Sequence, residues 1–341
     1  MIFKKLYKNS GRERGTLRYF REKLHRRNVT IDVKHFEDCK QLFLTVGKCY
    51  AVEALMEFFG METKESPITK NRPPYHILDV GNNRKQYYDS VLDKFIDEFL
   101  LSAPSVDDAE GNPQHPQDFV RNYSLCVLKY SFLYFDYRDA VKEGNGERIA
   151  TLHKLLLLHF KAHPGFNAYA IEMLISINQN QVFLSEAEAH QCIWASTANW
   201  NGGSSKNIEI DLLQEIRNKV IKKSIYTMGA NKSDKAIEKA SRASGGQQKI
   251  TENFDAQVNR AKHSSCHSHR STAADESKVM QDLHVVKPFN TVYHRLFDSF
   301  PDIQADPLST LDGTDFDKWL ARHQKNLLLD APLGHDEEAD L

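Results

Sequence analysis

Charge imbalance is missing from this chain of 341 residues: 45 lysines and arginines face 46 aspartates and glutamates, for a net charge of -1. A balance this close to zero gives no global electrostatic pull toward nucleic acid and leaves that role to a local basic patch. Paired cysteines are missing as well. Cys39, Cys49, Cys126, Cys192 and Cys266 are odd in number, scattered and without a CxxC pair, so they read as reduced thiols of an intracellular protein. Long apolar runs are absent. The longest, "LLLLHF" and "FLYF", fall far short of the roughly 20 residues that a spanning helix needs. The opening "MIFKKLYKNSGRERG" carries basic residues but no apolar stretch able to act as a signal peptide. The expectation is an intracellular chain with no membrane partner, long enough for one large domain or two ordinary ones.

Strand-like alternation of apolar and polar residues is also lacking, and no internal repeat occurs. What is present is helical periodicity. Leu17, Phe20 and Leu24 form one stripe within residues 12–27. Leu42, Val46, Tyr50, Leu55 and Phe58 recur through residues 35–60, which end on Gly60, a favoured C-cap residue. "QYYDSVLDKFIDEFLLS" is again amphipathic, and a helix beginning near residue 118 is aromatic on nearly every face, so it is expected to be central. Two helices separated by "HPG" predict an antiparallel hairpin. Ser185 with Glu188 three residues on matches a capping box. Further helices are expected from about 205 to Met228, from Ser233, from Thr251, near 275–286 and over "DGTDFDKWLARHQKNLLL". The fold class is all-α. It divides into an N-terminal helical part (1–103), a polar, proline-rich linker (104–117), a C-terminal helical part of the same domain (118–329) and a disordered acidic tail (330–341).

Recognisable catalytic motifs are scarce. Gly202-Gly203-Ser204-Ser205 precedes a helix, but GxxxxGK[ST] after a buried strand is not there, and no GxSxG elbow occurs. The simpler reading is that Ser205 or Asn207 caps the following helix, with Glu209 and Asp211 near its positive end. Asp211 and Glu215 share a helix face at i and i+4, continued by Asn218. That face could hold Mg²⁺ or Mn²⁺, or be a solvated stripe in which Glu215 pairs with Lys219. His263, Cys266, His267 and His269 lack the second ligand pair that zinc wants, and read as a polar loop. Gly144-Asn145-Gly146 reads as a helix–helix turn.

Four stretches in order carry a resemblance: "SGRERGTLRYFREKLHRRNVTIDVKHFEDCKQLFLTVGKCYAVEALMEFFG", "YRDAVKEGNGERIATLHKLLLLHF", "WNGGSSKNIEIDLLQEIRNKVIKK" and "FPDIQADPLSTLDGTDFDKWLARHQKNL". Together, from about Phe3 to Leu328, they resemble the domain of unknown function 6589, found in animal and fungal proteins of apparent mobile-element origin. The family has no assigned activity to carry over. The resemblance implies a preceding segment with a Gly-Asp-Gln-Leu-Thr type motif, so Met1 falls on an internal boundary and the chain is expected to be the C-terminal portion of a longer protein. Where family members often show Gly-Asp-Gly, this chain has Gly144-Asn145-Gly146, and Asn145 cannot supply a charge.

The lineage implies a first reading as a non-catalytic helical domain supporting contacts with protein or nucleic acid, with the nucleus favoured over the cytoplasm. Arg12, Arg14, Arg18, Arg21, Arg26 and Arg27 are the candidate binding residues, and phosphate contacts there would be steeply salt-dependent. The second reading is the remnant of a metal-dependent DNA-strand transferase. In it Asp211 or Glu215 is the last acid of an incomplete site, and a divalent metal is the only cofactor implied.

Overall fold

The computed structural model describes residues 1–7, 12–73, 81–101, 118–200, 202–230, 232–258 and 272–328. The expected linker at 104–117, the His263–His269 cluster and the tail at 330–341 lie outside the described residues. Twelve α-helices and one two-stranded sheet make up the described chain, which is the expected all-α class. It divides into two compact units. The first comprises Met1–Asp136, Leu152–Asn178 and Thr272–Leu341, the second Tyr137–Thr151 and Gln179–Ser271.

Unit 1 begins with α1 (Ile2–Leu6) and α2 (Leu17–Lys23). The latter is shorter than the expected 12–27, because Leu24 and His25 turn the chain after two turns, but its stripe of Leu17, Phe20 and Leu24 is buried as its spacing implies. In α3 (Phe36–Phe59) the same logic buries Leu42, Val46, Tyr50 and Phe58, whereas Leu55 stays exposed. Gly60 ends α3 in the left-handed region at φ 62°, the conformation that glycine adopts without a Cβ clash. The helix α4 (Gly81–Phe95) continues into a π-turn at Ile96–Leu101, and Phe95 and Phe99 stack at 5.0 Å against the Phe58 ring.

The helix α5 (Phe119–Glu143) supplies the centre of this core, with Tyr123, Leu125, Cys126, Val127, Leu128 and Tyr130 fully enclosed. Buried hydroxyls need partners, and the tyrosines find them in backbone. Tyr123 donates to the carbonyl of Leu6 at 3.1 Å and accepts from the amide of Leu17 at 3.0 Å, while Tyr50 donates to the carbonyl of Gly15 at 2.8 Å. Asp118 caps α5 by accepting from the amide of Arg121, and the same buried carboxylate takes Arg295 in a fork, with Nη2 at 2.6 Å. Packed against α3 lies α11 (Ala273–Val286). A smaller cluster joins Leu157 of α6 (Gly146–Lys161), Ala170 and Leu174 of α7 (Asn167–Asn178), and Trp319 of α12 (Gly313–Leu328), which agrees with the hairpin expected across "HPG".

Unit 2 takes the end of α5 and the start of α6, then a π-turn at Gln179–Phe183, α8 (Glu186–Trp194), β1 (Thr197–Ala198), β2 (Ile208–Glu209), α9 (Ile210–Thr227) and α10 (Asp234–Gln257). The separate helices expected from Ser233 and Thr251 are one, running through Gly245 and Gly246. The capping box at α8 is present in both halves: Ser185 Oγ accepts from the amide of Glu188, and Glu188 Oε2 accepts from the amide of Ser185 at 3.0 Å. Among the described residues of this unit few apolar side chains are buried (Ala140, Val141, Ile149, Ala189 and Leu213), whereas Val182, Phe183, Trp194, Trp200, Tyr226, Ile250 and Phe254 are exposed. Among the described residues no helix is long and apolar enough to cross a membrane.

Candidate functional site

The stretch Gly144-Asn145-Gly146 turns the chain from α5 into α6. Gly144 sits at φ 72°, and a Cβ built on it would lie 2.0 Å from Asn207 Nδ2. Asn145 Oδ1 accepts from the amide of Arg148 at 3.1 Å, which makes it the N-cap of α6. A Cβ on Gly146 would lie 2.4 Å from the carbonyl oxygen of Ile193, so the start of α6 rests on the end of α8 with no room for a side chain.

The segment leading into α9 differs from the capping expectation. Neither Ser205 nor Asn207 is the cap. Thr197 pairs with Glu209 and Ala198 with Ile208 in a short antiparallel bridge, the amide of Asn207 donates to the carbonyl of Lys142 at 3.3 Å, and α9 starts only at Ile210 with Glu209 as an N-cap that makes no side-chain bond. Pairing with β1 holds the chain extended to Glu209 and so delays the helix by several residues.

On α9, Leu213 is buried, and Asp211, Glu215, Asn218 and Lys219 are exposed. Asp211 lies close enough to Tyr137, with Glu209, to help raise that phenol to about 12, burial being the larger cause. The hydrogen-bonded i,i+4 pair on this face is Gln214 with Asn218 at 3.1 Å. Among the described residues no three His, Cys, Asp or Glu side chains come together in a way that could hold a metal ion.

The N-terminal arginines of unit 1 are largely committed to internal partners. Arg14 lies 3.7 Å from Asp282, whose other oxygen takes Lys23 at 2.5 Å, and Arg26 pairs with Asp275. Arg21 donates to the carbonyls of Val29 and Arg27 and pairs with Glu22. Arg18 is half-buried, while Arg12 and Arg27 are exposed. A different basic group does gather in unit 1: Lys161, Lys318 and Arg322 line a cavity of about 310 Å³ with Asp315 and Trp319, and Lys161 Nζ sits 4.9 Å above the Trp319 ring.

Unit 2 holds a groove of about 390 Å³ along α8, and sequence reading does not single it out. Leu184, Ala189 and Ile193 supply apolar lining, and Glu147, Glu186, Asn180, Gln181, His190 and Trp194 supply polar and aromatic lining. The His190 and Trp194 rings lie 5.9 Å apart. Their i,i+4 spacing and the capping box are visible in sequence, but the approach of Glu147 from α6 is a tertiary fact.

A family model described as a family of unknown function (DUF6589) matches residues 1–267. The chain belongs to that family. No curated protein and no solved structure matches it. The DUF6589 span contains the six arginines, the groove, Asp211 and Glu215, and it ends before α11, so the motif at 300–327 lies beyond it. In this DUF6589 chain the residue where the resemblance gives aspartate is Asn145, and what Asn145 does here is cap a helix, a task that aspartate and asparagine perform about equally.

Proposed function

We propose that this chain is a helical contact module of mobile-element descent, without catalysis of its own, and that its partners are proteins. The observation that carries this reading is the apolar surface of unit 2. Val182 (59% exposed), Phe183 (49%), Trp194 (43%) and Trp200 (44%) face outward from a unit with few buried apolar residues. Large apolar side chains left exposed on a unit that buries few of them are the kind of surface that interaction sites use in soluble proteins. The mobile-element descent is supported by the ordered motifs within the family span. Two-metal strand transfer requires carboxylates converging on one point, and the outward placement of Asp211 and Glu215 supports the non-catalytic side.

The test is incubation of the chain with supercoiled plasmid in Mg²⁺ or Mn²⁺, beside V182S/F183S stability measurements. No nicking is expected, and the double variant is expected to keep its urea midpoint to within about 0.5 kcal/mol of unfolding free energy. Metal-dependent nicking that D211N/E215Q abolishes would overturn the reading in favour of the strand-transferase remnant. Loss of stability in V182S/F183S would show that the exposed groups serve the fold instead.

Nucleic-acid contact is a second reading, favoured by Lys161, Lys318 and Arg322 around Trp319. Clustered cations suit a phosphate backbone, whereas Trp319 is buried and serves the core beneath them. Its test is duplex and single-strand binding at low salt, with K318A/R322A expected to reduce the salt slope if this group is the contact.

A further inference from the structure

We propose that the groove along α8 receives the side chain of an arginine presented by a partner protein. This deepens the protein-contact reading and rests on it. The first support is charge. Among the described residues no cation lies within ion-pair distance of Glu147 or Glu186. The nearest cation in sequence, Arg148, is turned away, with Nη1 3.1 Å from Asp139 and 2.9 Å from Glu143. Two exposed carboxylates therefore line a concave surface with no ion-pair partner among the described residues.

Both acids stand in the first turn of a helix, where a carboxylate stabilises the dipole by a few tenths of a kcal/mol, and that alone could explain them. The caps, however, are already supplied by Asn145 for α6 and by Ser185 with Glu188 for α8. The dipole explanation also leaves the aromatic and apolar lining unaccounted for.

The second support is shape and chemistry together. Apolar Leu184, Ala189 and Ile193 beside two acids match a side chain with an aliphatic stem and a cationic end. Trp194 and His190 add aromatic rings to the lining, and indole is the best cation acceptor among the aromatic side chains. Arginine suits the site better than lysine, because a planar guanidinium both stacks on an indole and forks onto a carboxylate. A nucleic-acid phosphate would meet like charge, and a neutral apolar ligand would desolvate the carboxylates without pairing them.

The third support is rigidity. Gly146 brings α6 into backbone contact with Ile193, so Glu147 is held in register with the neighbouring Trp194. A preformed site of this kind gives up little conformational entropy on binding.

The experiment uses the full chain labelled with 5-fluorotryptophan, with the Trp194 resonance assigned by W194F. The probe is the tripeptide acetyl-Gly-Arg-Gly-amide, followed by ¹⁹F NMR. A saturable shift of Trp194 in the millimolar range is expected. The citrulline peptide, neutral and nearly isosteric, is expected to leave Trp194 unmoved, and the lysine peptide to bind more weakly. E147Q/E186Q is expected to weaken arginine binding roughly tenfold with the Trp200 resonance unchanged, which shows that the unit is intact. Equal response to arginine and citrulline, unchanged affinity in E147Q/E186Q, or movement of Trp194 by a duplex oligonucleotide and not by the peptide would each overturn the proposal. Failure of the contact reading itself would show separately, as metal-dependent nicking.

Discussion

Lys23 Nζ lies 2.5 Å from Asp282 Oδ2, and Arg14 approaches the other oxygen of the same carboxylate at 3.7 Å. Asp282 is buried, so two cations of the basic N-terminal stretch balance one acid set into α11. That arrangement, with Arg26 on Asp275, turns a run that resembles a phosphate-binding stripe into one edge of a helix–helix contact.

Asp282→Asn removes the shared charge. Because Lys23 and Arg14 are 31% and 50% exposed, water can solvate them, so the expected loss is about 1–3 kcal/mol and not the larger cost of stranding a fully buried cation. Urea unfolding checks the stability. The same variant is expected to bind duplex DNA at low salt more tightly than the native chain, since it frees two cations for phosphate. Unchanged binding would show that these side chains do not reach a duplex.

At the turn between α5 and α6, Asn145 and Gly146 have separable roles. Asn145→Asp keeps an oxygen for the amide of Arg148 and is expected to leave stability within about 0.5 kcal/mol, while Asn145→Ala costs about 1 kcal/mol. Gly146→Ala puts a methyl against the carbonyl of Ile193, and a loss of about 2–4 kcal/mol is expected because backbone, not a flexible side chain, must move. Hydrogen exchange over α8 is the readout: faster exchange in G146A with little change in N145D.

A histidine pair in unit 1, His163 buried and His159 half-buried, sets a pH dependence. His163 Nδ1 donates to the carbonyl of His159 at 2.8 Å, and in the neutral ring that burial favours, its Nε2 accepts from the Tyr130 hydroxyl at 3.0 Å. Burial, then the nearby His163, lowers His159 to about 4, and burial lowers His163 too. Lys129 opposes the charge on His159 and Asp306 favours it. Folded pKa values below the unfolded value of about 6.5 mean that the unfolded chain binds more protons, so stability falls as pH drops from about 6.5 toward 4. The slope is at most about 1.4 kcal/mol per pH unit for each histidine. Urea midpoints measured at successive pH values are expected to show a shallower fall in His159→Gln than in the native chain. Parallel curves would refute the assignment.

Thiol reactivity should separate along the same lines. Cys49 and Cys126 are buried and pushed up to about 12 by burial, and Cys39 is also buried and raised, whereas Cys192 on α8 is exposed. Maleimide treatment of the native chain followed by peptide mapping is expected to label Cys192 rapidly and the three buried thiols only after denaturation.

Local chemistry made much of the fold legible. The period of α3, the glycine that ends it and the capping box of α8 depend on residues within a few positions of one another, so spacing alone reveals them. The exposed Leu55 shows the limit: its spacing in α3 suits the core, but burial depends on which face a neighbouring helix covers. The start of α9 falls later than the sequence predicts for a related reason. Glu209 becomes its N-cap because β2 pairs with β1, a contact that no local pattern encodes.

Of the candidate sites, the sequence by itself determined the residue types and helical faces: Asp211 and Glu215 one turn apart on α9, and six arginines within residues 12–27. Tertiary structure decided what those groups meet. It set Asp275 and Asp282 of α11 beside Arg26 and Arg14, and it left Asp211 and Glu215 facing outward. It also brought Glu147 to α8 and made a groove there. Helical periodicity is written in nearest-neighbour geometry, whereas charge pairing and concavity arise between segments far apart in the chain, where only packing fixes the distances.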